Sequence, residues 1–340
     1  MDAVEPTRKR SRSPDAEDTG RPLDARKQPR YGNYRSYYGK RRFAQDPNAS
    51  DPRLAQLPRE WIEHKRVLDI GCNVGKITLE LAQTRSPYRV VGVDIDKELI
   101  QLAKKQLRLA WSRGQPLQAV LDLAAEADSR IVSSTLAASA APSTQPAQRN
   151  YFPLALPRMF GFLPEPPSSA LRSYHERDEA EAAASTRRRD GREGRGKVMP
   201  REVRAFPDNV KFSHADWVVE DLSDDKKGYD LILALSVSKW IHLNHGDKGL
   251  RDWFARVFEC LRPRGRFVLE PQPWSSYAKA KRMADDLRES YDALVTRPDD
   301  FERILLDEIG FERVELVGEI GEGGFARPLM VFVKSGGSWI

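Results

Sequence analysis

Cysteine is nearly missing from this chain. Two residues, Cys72 and Cys260, stand among 340. So few exclude a disulfide framework and fit a reducing compartment. No CxxC or HxxxH spacing occurs, so no Cys/His zinc site is expected, and no other metal. Long apolar runs are also lacking: none reaches the roughly 18 residues of a membrane-spanning helix. The N-terminus has no apolar signal region, and secretion is not expected. Hydrophobic residues make up 40% of the chain and the mean hydropathy is −0.61, which implies long polar segments beside a real core.

Positive charge is present but uneven. Residues 1–45 hold 12 Lys and Arg against 6 Asp and Glu, a net of +6 that equals the excess of the whole chain. The basic character therefore belongs to an N-terminal arm suited to a polyanion or an import receptor, not to the fold. "TRKRSR" (7–12) reads as an import signal, and nuclear residence is expected, with room for a cytoplasmic share. Residues 1–29 show no apolar period and are expected to be a disordered basic arm. Residues 113–204, with "STLAASAAPSTQPAQ" and "RRRDGREGRGK", read as a low-complexity, mostly disordered insertion. Inside it, "YFPLALPRMFGFLP" (151–164) is apolar enough to dock on the core or on a partner. One domain is expected over 30–335, interrupted by that insertion, with 336–340 as a tail.

Outside these segments strands and helices alternate. "KRVLDI" (65–70), "RVVGVDI" (89–95), "VKFSHADW" (210–217), "YDLILALS" (229–236) and "RFVLEP" (266–271) read as strands. Helices are expected over about 75–84, 97–111, 249–265, 277–294 and 299–309. "FERVELVGEI" and "PLMVFVKS" close the chain as two strands with no helix between them. The pattern predicts an α/β, Rossmann-like doubly wound sheet, mostly parallel, with an antiparallel addition at one edge.

In such sheets ligands sit beyond the carboxyl ends of the first strands. The first loop, Gly71-Cys72-Asn73-Val74-Gly75, is not G-x-G-x-x-G. It suits a cofactor without a pyrophosphate, such as S-adenosylmethionine. Asp69 precedes the loop, where a carboxylate can hold an ammonium group. Asp94 ends the second strand, 25 residues on, placed to accept two ribose hydroxyls. "HADW" offers Asp216 for the adenine amino group and Trp217 for its ring face. This three-strand pattern favours a class I methyltransferase over a nicotinamide dehydrogenase. The Asn-Pro-Pro-aromatic turn of base-amino methyltransferases is absent after the fourth strand. "LSVSKWIHLNHGD" stands there, with Lys239, His242 and His245 supplying donors and positive charge for an anionic acceptor.

The motifs "YGNYRSYYG" (31–39), "LDIGCNVG" (68–75), "LSVSKWIHLNHGDKGL" (235–250), "LRPRGRFVLEPQPWSSY" (261–277) and "GGFARPL" (323–329) together resemble the bicoid-interacting, or methylphosphate capping enzyme, family of methyltransferases. The likeness covers about 31–111 and 206–334. The family implies methyl transfer from S-adenosylmethionine to a 5′-terminal phosphate of a small structured RNA, the γ-phosphate of a triphosphate in one branch and a monophosphate in another. The cofactor set it implies is Tyr38, Arg53, Asp69, Gly71, Asn73, Gly75, Asp94, Ile95, Asp216, Trp217 and Leu235. Lys239 and His242 become the catalytic pair, holding the phosphate. Tyr31, Tyr34, Arg41, Trp274, Lys279 and Arg327 become RNA contacts. Ribonucleoprotein proteins are the expected further partners, and a monomer the expected state. The chain departs from the pattern in its long insertion, in "SVSKW" where the family has threonine before the lysine, and in "PRG" for Pro-Gly-Gly. Two other classes stay open: a noncatalytic ribonucleoprotein chaperone on the same fold, and a small-molecule or protein methyltransferase.

Overall fold

The computed structural model describes residues 31–32, 37, 50–114, 151–165, 204–320 and 326–337. Seven strands form one sheet in the order β3-β2-β1-β4-β5-β7-β6. They are β1 (Arg66–Ile70), β2 (Arg89–Asp94), β3 (Val210–His214), β4 (Tyr229–Leu235), β5 (Leu261–Glu270), β6 (Arg313–Ile320) and β7 (Arg327–Val333). β1 to β5 pair in parallel; β7 runs antiparallel to β5, and β6 antiparallel to β7. The doubly wound sheet with an antiparallel edge is thus the one expected.

The helices are α1 (Lys76–Thr84), α2 (Lys97–Arg113), α3 (Ala155–Phe160), α4 (Ser238–Cys260), α5 (Trp274–Ala280) and α6 (Asp285–Ala293). Alternate residues of each strand enter opposite faces of the sheet. Leu68, Val91, Ile232 and Phe267 pack with Trp253, Phe254 and Phe301 on one face. Val67, Val90, Leu231, Leu233 and Val268 pack with Ile77, Leu81, Ile100, Ala103 and Leu107 on the other. Both faces are covered, which is why β4 reads as a nearly unbroken apolar run. No helix of the described residues is long and apolar enough to cross a membrane.

Three boundaries differ from the sequence reading. The helix expected from 249 begins at Ser238 and breaks sharply at Gly246 (φ 67°, ψ −174°). Strand β5 starts at Leu261, with Arg264 at φ 63°, so that "LRPRG" enters the sheet through an irregular register instead of ending a helix. The helix expected over 277–294 is two, α5 and α6. No Gly or Pro marks the break; Met283 and Ala284 turn inward to pack with Trp240, Tyr277 and Leu287. The apolar stretch 151–164 docks on α2: Trp111 Nε1 donates to Pro164 O at 3.0 Å, and Leu163 N to Ser112 Oγ at 2.9 Å.

Gly75 and Gly310 separate two costs of a side chain. Both have positive φ, 79° and 96°, but a Cβ on Gly75 would stand 2.6 Å from the Phe212 ring, whereas nothing lies within 4 Å at Gly310. Gly310→Ala should cost about 1 kcal/mol of backbone strain. Gly75→Ala should cost about 2–4 kcal/mol, because overpacking adds to the strain. Urea midpoints of the two variants check the difference; equal midpoints would mean that the loop yields freely.

Candidate functional site

The chain leaves β1 for β2 and β3 on one side, then crosses back to β4 on the other. That reversal opens a cleft at the carboxyl ends of β1, β2 and β4. Its floor is the Gly71–Gly75 loop. Gly71 N and Cys72 N donate to Val93 O at 2.9 and 3.0 Å and tie the loop to β2. Gly71 has φ 71°, and a Cβ there would meet Val237 Cγ2 at 2.8 Å, so the close approach of these two segments requires glycine. Asn73 N donates to Asp94 Oδ2 and Asp96 N to Asp94 Oδ1, each at 2.9 Å. Each Asp94 oxygen keeps a second lone pair for another donor. Asp69, fully enclosed at the base, accepts from Thr78 Oγ1 at 2.6 Å. Burial pushes both Asp69 and Asp94 up to about 6, against the hydrogen bonds that favour their charged forms.

The cleft holds about 910 Å³ of atom-free space, part of it open to solvent. Asp69, Gly71, Asn73, Asp94, Ile95, Asp216, Trp217 and Leu235 line it, as expected for the cofactor set. Tyr31, expected on RNA, lines the same cleft. Asp216 Oδ2 lies 3.2 Å from His245 Nε2, and Val218 N donates to its Oδ1 at 3.2 Å. Trp217 is partly committed: its indole N–H donates to Asp225, and Arg256 lies 4.5 Å over its ring. Tyr34, Tyr38 and Arg41 lie outside the described residues.

Five of the expected residues stand elsewhere than on the cleft wall. Gly75 does not line the cleft; it begins α1 and packs on Phe212. Arg53 does not line it either. It is 1% exposed, with Nη1 2.7 Å from Glu270 Oε2 and Nη2 2.8 Å from Asp51 Oδ2, because a guanidinium this deep needs carboxylates on both sides. His242 is fully buried, its Nε2 2.8 Å from Asp247 Oδ1 and its Nδ1 3.4 Å from the Tyr277 hydroxyl; α4 turns it into the core instead of the cleft. Burial lowers its pKa despite the Asp247 partner. Trp274 is no free stacking platform: it stacks on Tyr291 (centroids 4.6 Å apart) and lies under Arg297 at 3.9 Å. Arg327 is buried and donates Nη1 at 2.7 Å to the Oγ of Ser236, which lines the cleft.

Lys239 fares differently. It does not line the cleft either, but its Nζ donates to Ser276 O at 3.5 Å and lies 4.5 Å over the ring of Trp240, which does. Burial lowers its pKa to about 8, helped by the charges of Arg327 and Lys279. Three of the predicted cations are therefore neighbours, and Lys279 is exposed on α5. The sequence reading placed His245 near the acceptor, and it lines the cleft, but it missed Val237, Trp240, Ile241 and Asn244, which line it too. Their i, i+3, i+4 spacing was the available signal that "SVSKWIHLNH" is a helix with one face to a ligand. It also missed Ser236, a non-glycine residue at φ 63° whose hydroxyl donates to Glu270 Oε2 at 2.5 Å.

Known proteins with related sequences bear on this geometry. Residues 229–334 match the model of the Bicoid-interacting protein 3 (Bin3) family, and residues 63–112 that of a methyltransferase domain. The chain is 34% identical over 307 residues to a probable RNA methyltransferase of Arabidopsis thaliana, covering 89% of this chain and 80% of that one. It is 34% identical over 314 residues to the 7SK snRNA methylphosphate capping enzyme of Mus musculus, covering 90% of this chain but 40% of the mouse protein, so it spans less than half of that relative. An RNA 5′-monophosphate methyltransferase of Mus musculus is 35% identical over 111 residues, 31% of this chain and 37% of that one.

The Arg53 cluster sets a stability test. Arg53→Ala leaves two buried carboxylates without their cation and should cost about 3–5 kcal/mol in urea denaturation. Arg59→Ala, which breaks the exposed 2.8 Å pair with Glu63, should leave the midpoint unchanged. Equal effects would remove Arg53 from its structural role.

Proposed function

We propose a function from one premise: the chain belongs to the bicoid-interacting (Bin3) family. That function is the transfer of a methyl group from S-adenosylmethionine to a 5′-terminal phosphate of a small structured RNA. The observation that carries it is the cleft itself, lined by three acids at three strand ends and by Trp240, over whose ring Lys239 lies at 4.5 Å. The residues present fit the cofactor. Asp94 has lone pairs for two ribose hydroxyls, Asp69 suits an ammonium group, and Asp216 and Trp217 border the side where adenine would lie. When bound, S-adenosylmethionine supplies an activated methyl group.

The acceptor explains what the cleft has in short supply. A terminal phosphate oxygen is already anionic near neutral pH, its last pKa being about 6. It needs alignment and exclusion of water more than a general base. Burial of His242 therefore removes nothing the reaction requires. Lys239, with Lys279 and Arg327 near it, is the group to hold the phosphate. We favour the γ-phosphate of a triphosphate over a monophosphate, because the likeness to the capping enzyme spans 90% of this chain and that to the monophosphate enzyme 31%. Nuclear residence belongs to the same reading and rests on "TRKRSR".

Two experiments test it. A stem-loop RNA with a 5′-triphosphate should take up labelled methyl well above the same RNA with a monophosphate, and a 5′-hydroxyl RNA should take up none. Label on the hydroxyl RNA would send the search to bases or ribose. Lys239→Ala should lower kcat/KM on the triphosphate RNA roughly 10–100-fold, the worth of one hydrogen bond to a charged group. The second experiment is calorimetry of S-adenosylmethionine binding. With Asp94 and Asp69 both near 6, their ionised forms are lost together as pH falls, so affinity should drop roughly tenfold or more between pH 7.5 and 5. Asp94→Asn should bind weakly at both pH values. A pH-independent wild-type affinity would take Asp94 out of the site.

A further inference from the structure

We propose that the outer face of α2 and the docked segment 151–165 form a second RNA-contact surface, away from the cleft, that grips the body of a structured RNA. This deepens the RNA reading above and rests on it. The inner face of α2 buries Leu99, Ile100, Ala103, Leu107 and Trp111 at i, i+3, i+4 spacing. Its outer face exposes Lys104, Lys105 and Arg108 together. None of the three has an acidic partner among the described residues. Arg158, on α3, is exposed as well, and the segment's one acid, Glu165, lies at its far end.

The docked segment adds rings to this charge. It is held by its backbone, through Trp111, Ser112 and Arg113, whose carbonyl accepts from Phe152 N at 3.0 Å. That mode of docking leaves large apolar side chains outside: Phe160 is 78% and Met159 72% exposed. Solvent-facing apolar groups on a well-anchored segment mark a contact surface. Arg108 lies 5.4 Å from the Phe162 ring centroid, so guanidinium and ring already share one patch. Exposed rings interleaved with unpaired cations are what base stacking and phosphate tracking need. A protein partner would need acidic groups placed between apolar ones to use the whole patch; RNA carries phosphate and stacking base in every nucleotide.

Position separates this surface from catalysis. Asp96, two residues after Asp94, caps α2, and at about 1.5 Å per residue Lys104, Lys105 and Arg108 stand roughly 12–18 Å along the helix and Arg113, beside the docked segment, about 25 Å. With its phosphate at Lys239, across the sheet from α2, a 5′-triphosphorylated dinucleotide is too short to reach the patch, whereas a stem-loop of some tens of nucleotides can.

The test uses the full chain with those two substrates. In the triple variant Lys104→Glu, Lys105→Glu, Arg158→Glu, stem-loop binding by fluorescence anisotropy should weaken at least tenfold at low salt, and the log–log salt slope should fall by about 2–3, near one per lost phosphate contact. Phe160→Ala should weaken it roughly 5–100-fold, the worth of one stacked base. A Gln series at the three basic positions, which keeps helix propensity, should act in the same direction with smaller effect. Methyl transfer to the dinucleotide should be unchanged throughout. Wild-type stem-loop affinity and salt slope in the charge variant would overturn the proposal. So would inert charges combined with a Phe160→Ala variant that loses only a co-purifying protein, which would make the patch a protein surface. If the wild type methylates neither RNA yet binds the stem-loop through these residues, the terminal-phosphate reading fails and this one stands.

Discussion

The site hangs on one buried guanidinium. Arg53 cannot be withdrawn from water without partners, and it finds Asp51 two residues away and Glu270 217 residues away. Desolvation works against its charge, and the two carboxylates more than restore it, so its pKa is held well above the ordinary value. Glu270 ends β5. Its second donor is Ser236, which follows β4, and Ser236 in turn accepts from Arg327, which opens β7. One charge chain therefore clamps three strand ends and the segment at residues 50–55 into a single geometry. A cluster like this adds little net stability over apolar residues of the same volume. Its effect is to fix where the strand ends stand relative to each other, which is what a two-substrate cleft requires.

The clamp also explains the strain beside it. Ser236 holds φ 63° without being glycine, a conformation that costs of order 1–3 kcal/mol unless its surroundings enforce it. Its surroundings do: its hydroxyl bridges Glu270 and Arg327, its N–H donates to Glu270 O, and Gln272 Nε2 donates to its carbonyl. The sharp turn at Ser236 aims the first half of α4 across the cleft mouth. Trp240, Asn244 and His245 then face the ligand side, while His242 is carried into the core. Two histidines three residues apart thus meet opposite environments because a helix, not a loop, presents them.

That contrast locates what the sequence could and could not tell. Strands β1, β2 and β4 were legible because they are buried on both faces, which leaves an apolar run whatever the neighbours are. Asp69, Asp94 and Asp216 were legible because an acid at the end of such a run has few structural reasons to be there. All three line the cleft. Arg53, His242 and Trp274 were misplaced because their positions depend on partners distant in sequence: Glu270 for the arginine, Asp247 and Tyr277 for the histidine, Tyr291 and Arg297 for the tryptophan. No local pattern encodes such pairings. The helix at 238–245 was hidden for a different reason. Gly246, with Asn244 and His245 before it, carries the composition of a loop, and only the spacing of the apolar residues argued otherwise.

The distribution of charge around the cleft matches one chemical requirement of the proposed reaction. An acceptor that is already anionic must be held without being quenched, since an oxygen fully paired with cations is a poor nucleophile. Asp69 and Asp94 sit where burial makes their own charges costly, and a cationic cofactor placed beside them relieves that cost. On the other side Lys239 is so desolvated, with Arg327 and Lys279 near, that its pKa falls to about 8. A bound anion would restore it. Each half of the cleft is thus electrostatically unsatisfied when empty and complements one of the two substrates. Under the proposed function, the acids favour the positive partner and the cations the negative one.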